Sequence, residues 1–122
     1  MKKALVVLFS LAYGTQSFGE DLRSEEVEFV SHGVTLSGSI VFPAGEIHSA
    51  VVFVHGSGKQ TRNLVWAERF AKAGIAALVY DKRGAGRSGG EYEGNQSVSE
   101  KNISLLADDA AAALRSMSSH RS

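Results

Sequence analysis

Cysteine is absent from the 122 residues, and proline occurs once, at Pro43. Without a thiol the chain can form no disulfide, thiolate nucleophile or zinc–thiolate site. Histidine is sparse as well: His32, His48, His55 and His120 are scattered, and no two stand at metal-ligand spacing. Neither sign of charge is in excess, since 13 basic side chains balance 13 acidic ones. A balanced chain lacks the electrostatic footprint that nucleic acid or an acidic membrane surface requires. No apolar run approaches the roughly 20 residues that a helix needs to span a bilayer. Glycine is what the chain has in plenty, 13 residues within a composition that is 43% hydrophobic and otherwise ordinary for a globular domain.

The N-terminus has three parts. Met1-Lys2-Lys3 is a basic head, residues 4–13 are apolar except for Ser10, and Ser17-Phe18-Gly19 is a small-x-small sequence ahead of Glu20-Asp21. That is the layout of a secretory signal peptide. The expectation is a signal peptide over residues 1–19, cleaved after Gly19, and a mature chain that is periplasmic or secreted. No stable membrane anchor is expected after cleavage, because no cysteine follows the apolar run to carry a lipid. Residues 20–122 then form a single domain segment, without repeats or linkers.

Hydrophobic patterning divides that segment. Over residues 25–32, Val27 and Phe29 alternate with Glu26 and Glu28, the mark of a strand with one wet face. His32-Gly33 signals a turn, after which Val34, Leu36, Ile40 and Phe42 resume the alternation, so an antiparallel hairpin is expected. Gly38 falls on the apolar face of the second strand and suggests a bulge or bend. Residues 50–54 and 75–80 are continuous apolar runs, suited to parallel strands buried on both faces. Between them, residues 63–73 carry Leu64, Ala67, Phe70, Ala71 and Ala73 largely on one helical face, with Gly74 as the stop. After a glycine-rich loop, Ser97 and Glu100 have capping-box spacing and place a helix start near Val98. An apolar stripe of Ile103, Leu106, Ala110, Ala113, Leu114 and Met117 follows, with Asp108 and Asp109 at its polar edge.

The chemistry-bearing residues follow the two apolar runs. His55-Gly56-Ser57-Gly58 ends the first and Asp81-Lys82-Arg83-Gly84-Ala85-Gly86-Arg87-Ser88-Gly89 ends the second. Small-residue turns at the C-terminal edge of a parallel sheet present backbone N–H groups where ligands collect. In acyl transfer such donors stabilise the oxyanion that forms from the carbonyl.

Order and spacing of these motifs resemble the α/β-hydrolase superfamily, in particular its bacterial esterase and serine-peptidase-like members, over about residues 27–117. The resemblance implies an α/β fold of antiparallel hairpin, parallel strand–helix–strand unit and helix, the N-terminal half of the complete fold. It implies an oxyanion-hole donor at the Ser57 backbone N–H, with Gly58 as a second candidate, and structural roles for His55, Gly56, Asp81, Arg83, Gly84, Gly86 and Ser88. Asp81 and Arg83 are expected to pair with backbone or with each other. His55 is expected to orient its turn rather than act as a base, and Trp66 and Phe70 to form core or pocket wall. No metal or organic cofactor is implied, and the partner of the full-length protein is a small acyl substrate.

Two literal motif matches mislead. Gly84-x-Gly86-x-x-Gly89 spells a dinucleotide fingerprint, but Gly89 to Gly94 is poor helix and carries two carboxylates that repel phosphate. Gly86-x-Ser88-x-Gly90 spells a nucleophile elbow, but no strand leads directly into Ser88 and no helix leaves it. Ser88 is expected to serve as a turn residue. No catalytic residue is therefore assigned within the chain. The nucleophile elbow, acid and histidine of the resembled fold are expected beyond Ser122, so that the chain alone is an inactive segment of an exported serine hydrolase. An exported binding protein on the same scaffold is the alternative, as is completion of the sheet by a second chain.

Overall fold

The computed structural model describes residues 22–92 and 99–120. The signal segment over residues 1–19 and the cap expected at Ser97 lie outside the described residues. Element order is β1 (Arg23–Ser31), β2 (Val34–Phe42), β3 (Ser49–Val52), α1 (Leu64–Lys72), β4 (Ile75–Tyr80) and α2 (Glu100–Ser119).

β1 and β2 form the expected hairpin. The turn residues His32 and Gly33 both have positive φ, 50° and 74°, the left-handed pair that matches a two-residue turn to the strand twist. Val27 and Phe29 are buried while Glu26 and Glu28 stay exposed. The register runs without a break from Arg23↔Phe42 to Ser31↔Val34, so Gly38 marks no bulge. Its role is close approach: a Cβ there would stand 2.7 Å from the Val79 carbonyl oxygen of the neighbouring strand. Gly38→Ala is expected to cost about 1–3 kcal/mol by overpacking, read as a lower urea midpoint with unchanged slope.

The four strands lie in the order β1-β2-β4-β3, with β4 antiparallel to β2 and parallel to β3. This is a mixed sheet of the α/β type expected. β4 is buried from Ala76 to Tyr80 as its apolar run implies. β3 is not. It ends at Val52 and forms an edge among the described strands, with Ala50 exposed, Val51 and Val52 half-buried, and Val54 beyond it 60% exposed. The expectation of a strand buried on both faces over residues 50–54 fails because only β4 flanks it. The opposite edge, β1, carries Arg23, Glu25, Glu26 and Glu28, whereas β3 has neither charge nor proline to deter another strand. Ala50→Lys is expected to reduce self-association of the purified chain by light scattering; unchanged scattering would place the contact elsewhere.

Each face of the sheet is covered by a helix. Val41, Ala77 and Val79 pack with Ala67 and Ala71 of α1. Asn63 caps this helix by accepting from the Trp66 amide at 3.2 Å, and Gly74 with φ 90° leaves it. On the other face Val27, Phe29, Leu36, Ile40, Leu78 and Tyr80 pack with Ala112, Ala113 and Met117 of α2.

Helix α2 differs from expectation in its start and its orientation. Ser99 is its cap, accepting from the Asn102 amide at 3.1 Å, which puts Glu100 in the first helical position rather than the third. The buried residues are Asp109, Ala112, Ala113 and Met117, still at helical spacing but rotated from the expected stripe. Ile103 and Leu114 are 55% and 57% exposed, while Asp109, expected on the polar edge, is only 1% exposed. The reason is a cation waiting inside.

Candidate functional site

Strand β4 is followed directly by three successive charged residues, Asp81, Lys82 and Arg83, which are only 3%, 5% and 7% exposed. Burying a charge is costly unless it is paired and hydrogen-bonded, and each of the three finds a different partner. Arg83 turns towards α2. Its Nε and Nη2 donate to the two carboxylate oxygens of Asp109 at 3.0 and 2.8 Å, and Nη2 also donates to the Ser31 carbonyl at 2.9 Å. That bidentate fork draws Asp109 inward and sets the face α2 presents.

Asp81 turns the other way, towards Arg62 in the segment ahead of α1. Arg62 donates from Nε to Oδ1 at 3.1 Å, from Nη2 to Oδ2 at 2.9 Å and from its backbone N–H to Oδ1 at 2.8 Å. The same guanidinium reaches Glu26, Ser37 and Ser39 at 2.7–2.8 Å, linking β1, β2 and the β4 loop. The Arg87 N–H donates to Asp81 Oδ2 at 2.9 Å. Asp81 and Arg83 therefore do not pair with each other. Asp81 takes Arg62 and the Arg87 amide, and Arg83 takes Asp109.

Burial alone would raise the Asp81 pKa, but the Arg62 hydrogen bonds and the two amides outweigh it and hold it at about 2, below the ordinary 3.8. A pKa lower in the folded than in the unfolded state gives stability that is complete above about pH 4 and lost as pH falls towards 2. Urea midpoints measured from neutrality down to about pH 2 are expected to fall through that window. Arg62→Met is expected to flatten the fall, and an equally steep profile in that variant would contradict the assignment.

The glycines of this loop are required by contact. Gly86 has φ 53°, and a Cβ there would lie 2.5 Å from Asp81 Oδ2. Gly86→Ala is expected to destabilise by about 1–3 kcal/mol, measured by denaturation. Ser88 is buried in the same loop, donating to the Asp81 carbonyl at 2.6 Å and accepting from the Ser37 amide at 2.9 Å.

Lys82 reaches the loop after β3. Its Nζ donates to the Gly56 and Gly58 carbonyls, each at 2.8 Å, with the Tyr92 ring 5.5 Å away. Gln60 Nε2 donates to the Ser57 carbonyl at 2.6 Å, and the Lys82 amide donates to the Gln60 carbonyl at 3.0 Å. Gly58, with φ 88°, takes a left-handed turn that lets two nearby carbonyls face one ammonium. Three consecutive carbonyls of the turn are thus held by side chains. Among the described residues, no hydrogen bond engages the Ser57 or Gly58 N–H.

His55 anchors the start of this turn. Its Nε2 donates to the Tyr80 carbonyl, and its ring stands edge-on to the Tyr80 ring at 4.9 Å. Burial lowers its pKa, which keeps the imidazole neutral near pH 7, with the proton on Nε2 required by the carbonyl acceptor. Beside it lies a cavity of about 200 Å³ whose lining includes Phe53, His55, Gln60, Trp66 and Tyr80. Trp66 forms its wall, and Phe70 packs edge-on against Phe53 at 5.0 Å.

No Ser–His–Asp relay is assembled among the described residues. Ser88 is committed to Asp81 and Ser37, Asp109 to Arg83, and His120 Nδ1 lies 2.9 Å from the Ser116 carbonyl of its own helix. His32 and Asp108 do meet, at 2.8 Å, but on the exposed surface and without a serine hydroxyl. Sequence patterns missed Arg62, Lys82 and Asp109 as the anchors of the two loops. The available signal was a run of three charges directly continuing a buried strand.

Comparison with known proteins agrees with this arrangement. The family described as serine aminopeptidase, S33, matches residues 45–122. Among solved structures, the α/β-hydrolase GrgF of a Penicillium species superposes with a TM-score of 0.60 at 28% identity, covering 80% of this chain and 33% of its own. A hypothetical protein of Pseudomonas aeruginosa has a TM-score of 0.60 at 20% identity, over 96% of this chain and 36% of its own. An esterase of Pyrococcus furiosus has a TM-score of 0.57 at 24% identity, over 81% and 38% respectively. The chain spans little more than a third of the length of these structures. No curated protein matches its sequence.

Proposed function

The chain belongs to the serine aminopeptidase S33 family of α/β-hydrolases, and we propose that it supplies the oxyanion-binding part of an exported serine hydrolase that cleaves acyl esters. The observation that carries this reading is the turn over residues 55–58, at the end of β3. Its carbonyls are tied back to Lys82 and Gln60 while the Ser57 and Gly58 N–H groups have no partner among the described residues. Unpartnered amides fixed at the carboxyl end of a parallel strand are suited to a developing oxyanion, where each donor contributes about 3–4 kcal/mol to the transition state.

In this mechanism the substrate carbonyl oxygen sits against the Ser57 N–H, with Gly58 beside it. A serine hydroxyl attacks, the tetrahedral oxyanion is held by the amides, and the acyl-serine that results is released by water. The attacking serine, its base and its acid are placed outside residues 1–122. Small acyl esters are preferred over peptides as substrates in this reading, in keeping with the cavity beside His55. The Pyrococcus furiosus structure of the same fold is an esterase, which supports that preference only by analogy.

The test is turnover of a chromogenic acyl ester and a chromogenic aminoacyl amide by the native protein that carries these residues. Ester turnover well above amide turnover is expected; the reverse would make it a peptidase, and neither would leave a binding role on the hydrolase scaffold. Export is part of the proposal, and intact-mass measurement of the protein from its own cells is expected to find residues 1–19 removed. A retained N-terminus would overturn that part.

A further inference from the structure

We propose that Lys82 is a positioning residue of the oxyanion turn, acting through the peptide groups of Ser57 and Lys59. For its chemical purpose this inference rests on the hydrolase reading above. The argument begins with the geometry of a peptide unit, which is planar and trans, so that its C=O and N–H point in opposite directions. The Gly56 carbonyl and the Ser57 N–H belong to one such unit, and the Gly58 carbonyl and the Lys59 N–H to another. Lys82 Nζ donates to both of these carbonyls at 2.8 Å. It therefore aims the Ser57 and Lys59 N–H groups away from the ammonium. Gln60 does the same for the unit between, by donating to the Ser57 carbonyl at 2.6 Å and so aiming the Gly58 N–H away from its amide.

The ammonium does more than aim. A charge-assisted hydrogen bond to a carbonyl withdraws electron density from the whole amide, and the N–H of that unit becomes a stronger donor. Gln60 is neutral and polarises its unit less. Lys82 is buried and has two carbonyl acceptors and the Tyr92 ring around it, so few waters screen its charge. Burial also lowers its pKa, in keeping with a confined ammonium. A lysine that only filled space would need none of these acceptors, since its stem alone could pack and its head could reach water.

The distinguishing test is the backbone ¹⁵N shift, which responds to a hydrogen bond on the carbonyl of the same peptide unit. In Lys82→Met the Ser57 and Lys59 nitrogens are expected to shift while Gly58, whose unit is held by Gln60, stays near its original position. Because the chain has no cysteine, Lys82→Cys can be alkylated with bromoethylamine to restore an ammonium at one defined position. Alkylation is expected to return Ser57 and Lys59 towards their original shifts. If either variant fails to fold by circular dichroism, Lys82→Gln takes its place, with the Ser57 and Lys59 nitrogens again expected to shift and Gly58 to stay. Uniform movement of all three nitrogens, or no movement, overturns the proposal.

Kinetics of the native protein add a second readout. Lys82→Met is expected to lower kcat for an acyl ester about tenfold with KM nearly unchanged, because the polarised donor matters most when the oxyanion forms. Equal effects on both constants would point to a lost fold rather than a weakened donor. The two failures remain separable: the alternating shift pattern without ester turnover removes the hydrolase reading and leaves the Lys82 lock, and turnover without the pattern does the opposite.

Discussion

Ser57→Pro in the native protein is expected to lower kcat for an acyl ester by about 10²–10³-fold, the usual cost of deleting one oxyanion donor. Proline removes the backbone N–H and leaves a carbonyl for Gln60 to hold. Ser57→Ala keeps the N–H and is expected to stay within a few-fold of the native rate. The pair separates the backbone from the hydroxyl: equal losses in both variants would assign the effect to the Ser57 side chain. KM should change little in either, because a donor placed for the transition state does not bind the ground state tightly.

The second large effect concerns stability. Asp109→Ala is expected to cost about 3–5 kcal/mol, because it strands the Arg83 guanidinium in a site that is 8% exposed. Against a total of about 5–15 kcal/mol for a domain, that is a large fraction, and the chain should unfold at a much lower urea concentration. The double variant Arg83→Met, Asp109→Leu is expected to recover most of the loss, since it removes both charges and fills similar volume. Recovery stops short of complete because Arg83 also donates to the Ser31 carbonyl at 2.9 Å. A single Asp109→Ala loss below about 1 kcal/mol, the range of surface pairs, would mean that the pair is not buried in solution.

Where the fold depends on local chemistry, it was legible in the sequence. His32-Gly33 demands a two-residue turn because its positive φ values suit few other residues, and Gly74 ends α1 with a left-handed residue, as its place after the apolar stripe implies. The apolar runs located β3 and β4 for the same reason. Their unequal burial was not legible, because an apolar run is silent about how many neighbours a strand has. Two serines two residues apart, Ser97 and Ser99, are both competent caps by residue type, and sequence alone does not choose between them; Ser99 accepts from the Asn102 amide.

Long-range partnerships were the part the sequence could not disclose. Asp109 looks like a solvent-facing carboxylate until Arg83, on a loop 26 residues away, is found beneath it. Asp81 and Arg83 stand two apart and invite pairing, yet Asp81 turns to Arg62 and Arg83 to Asp109. Lys82, between them, points to the oxyanion turn. The motif residues were visible as a set, but the division of labour among them is set by partners from other elements: Arg62 ahead of α1, the turn after β3, and Asp109 of α2.

The most direct measurement is active-site labelling with a fluorophosphonate of the native protein that carries these residues, followed by mass mapping of the modified serine. One labelled serine is expected, in a G-x-S-x-G sequence outside residues 1–122, with labelling slowed by Ser57→Pro and unaffected by Ser57→Ala. Labelling at Ser88, or no labelling together with no ester turnover, would contradict the assignment of this chain to the oxyanion-binding part of a serine hydrolase.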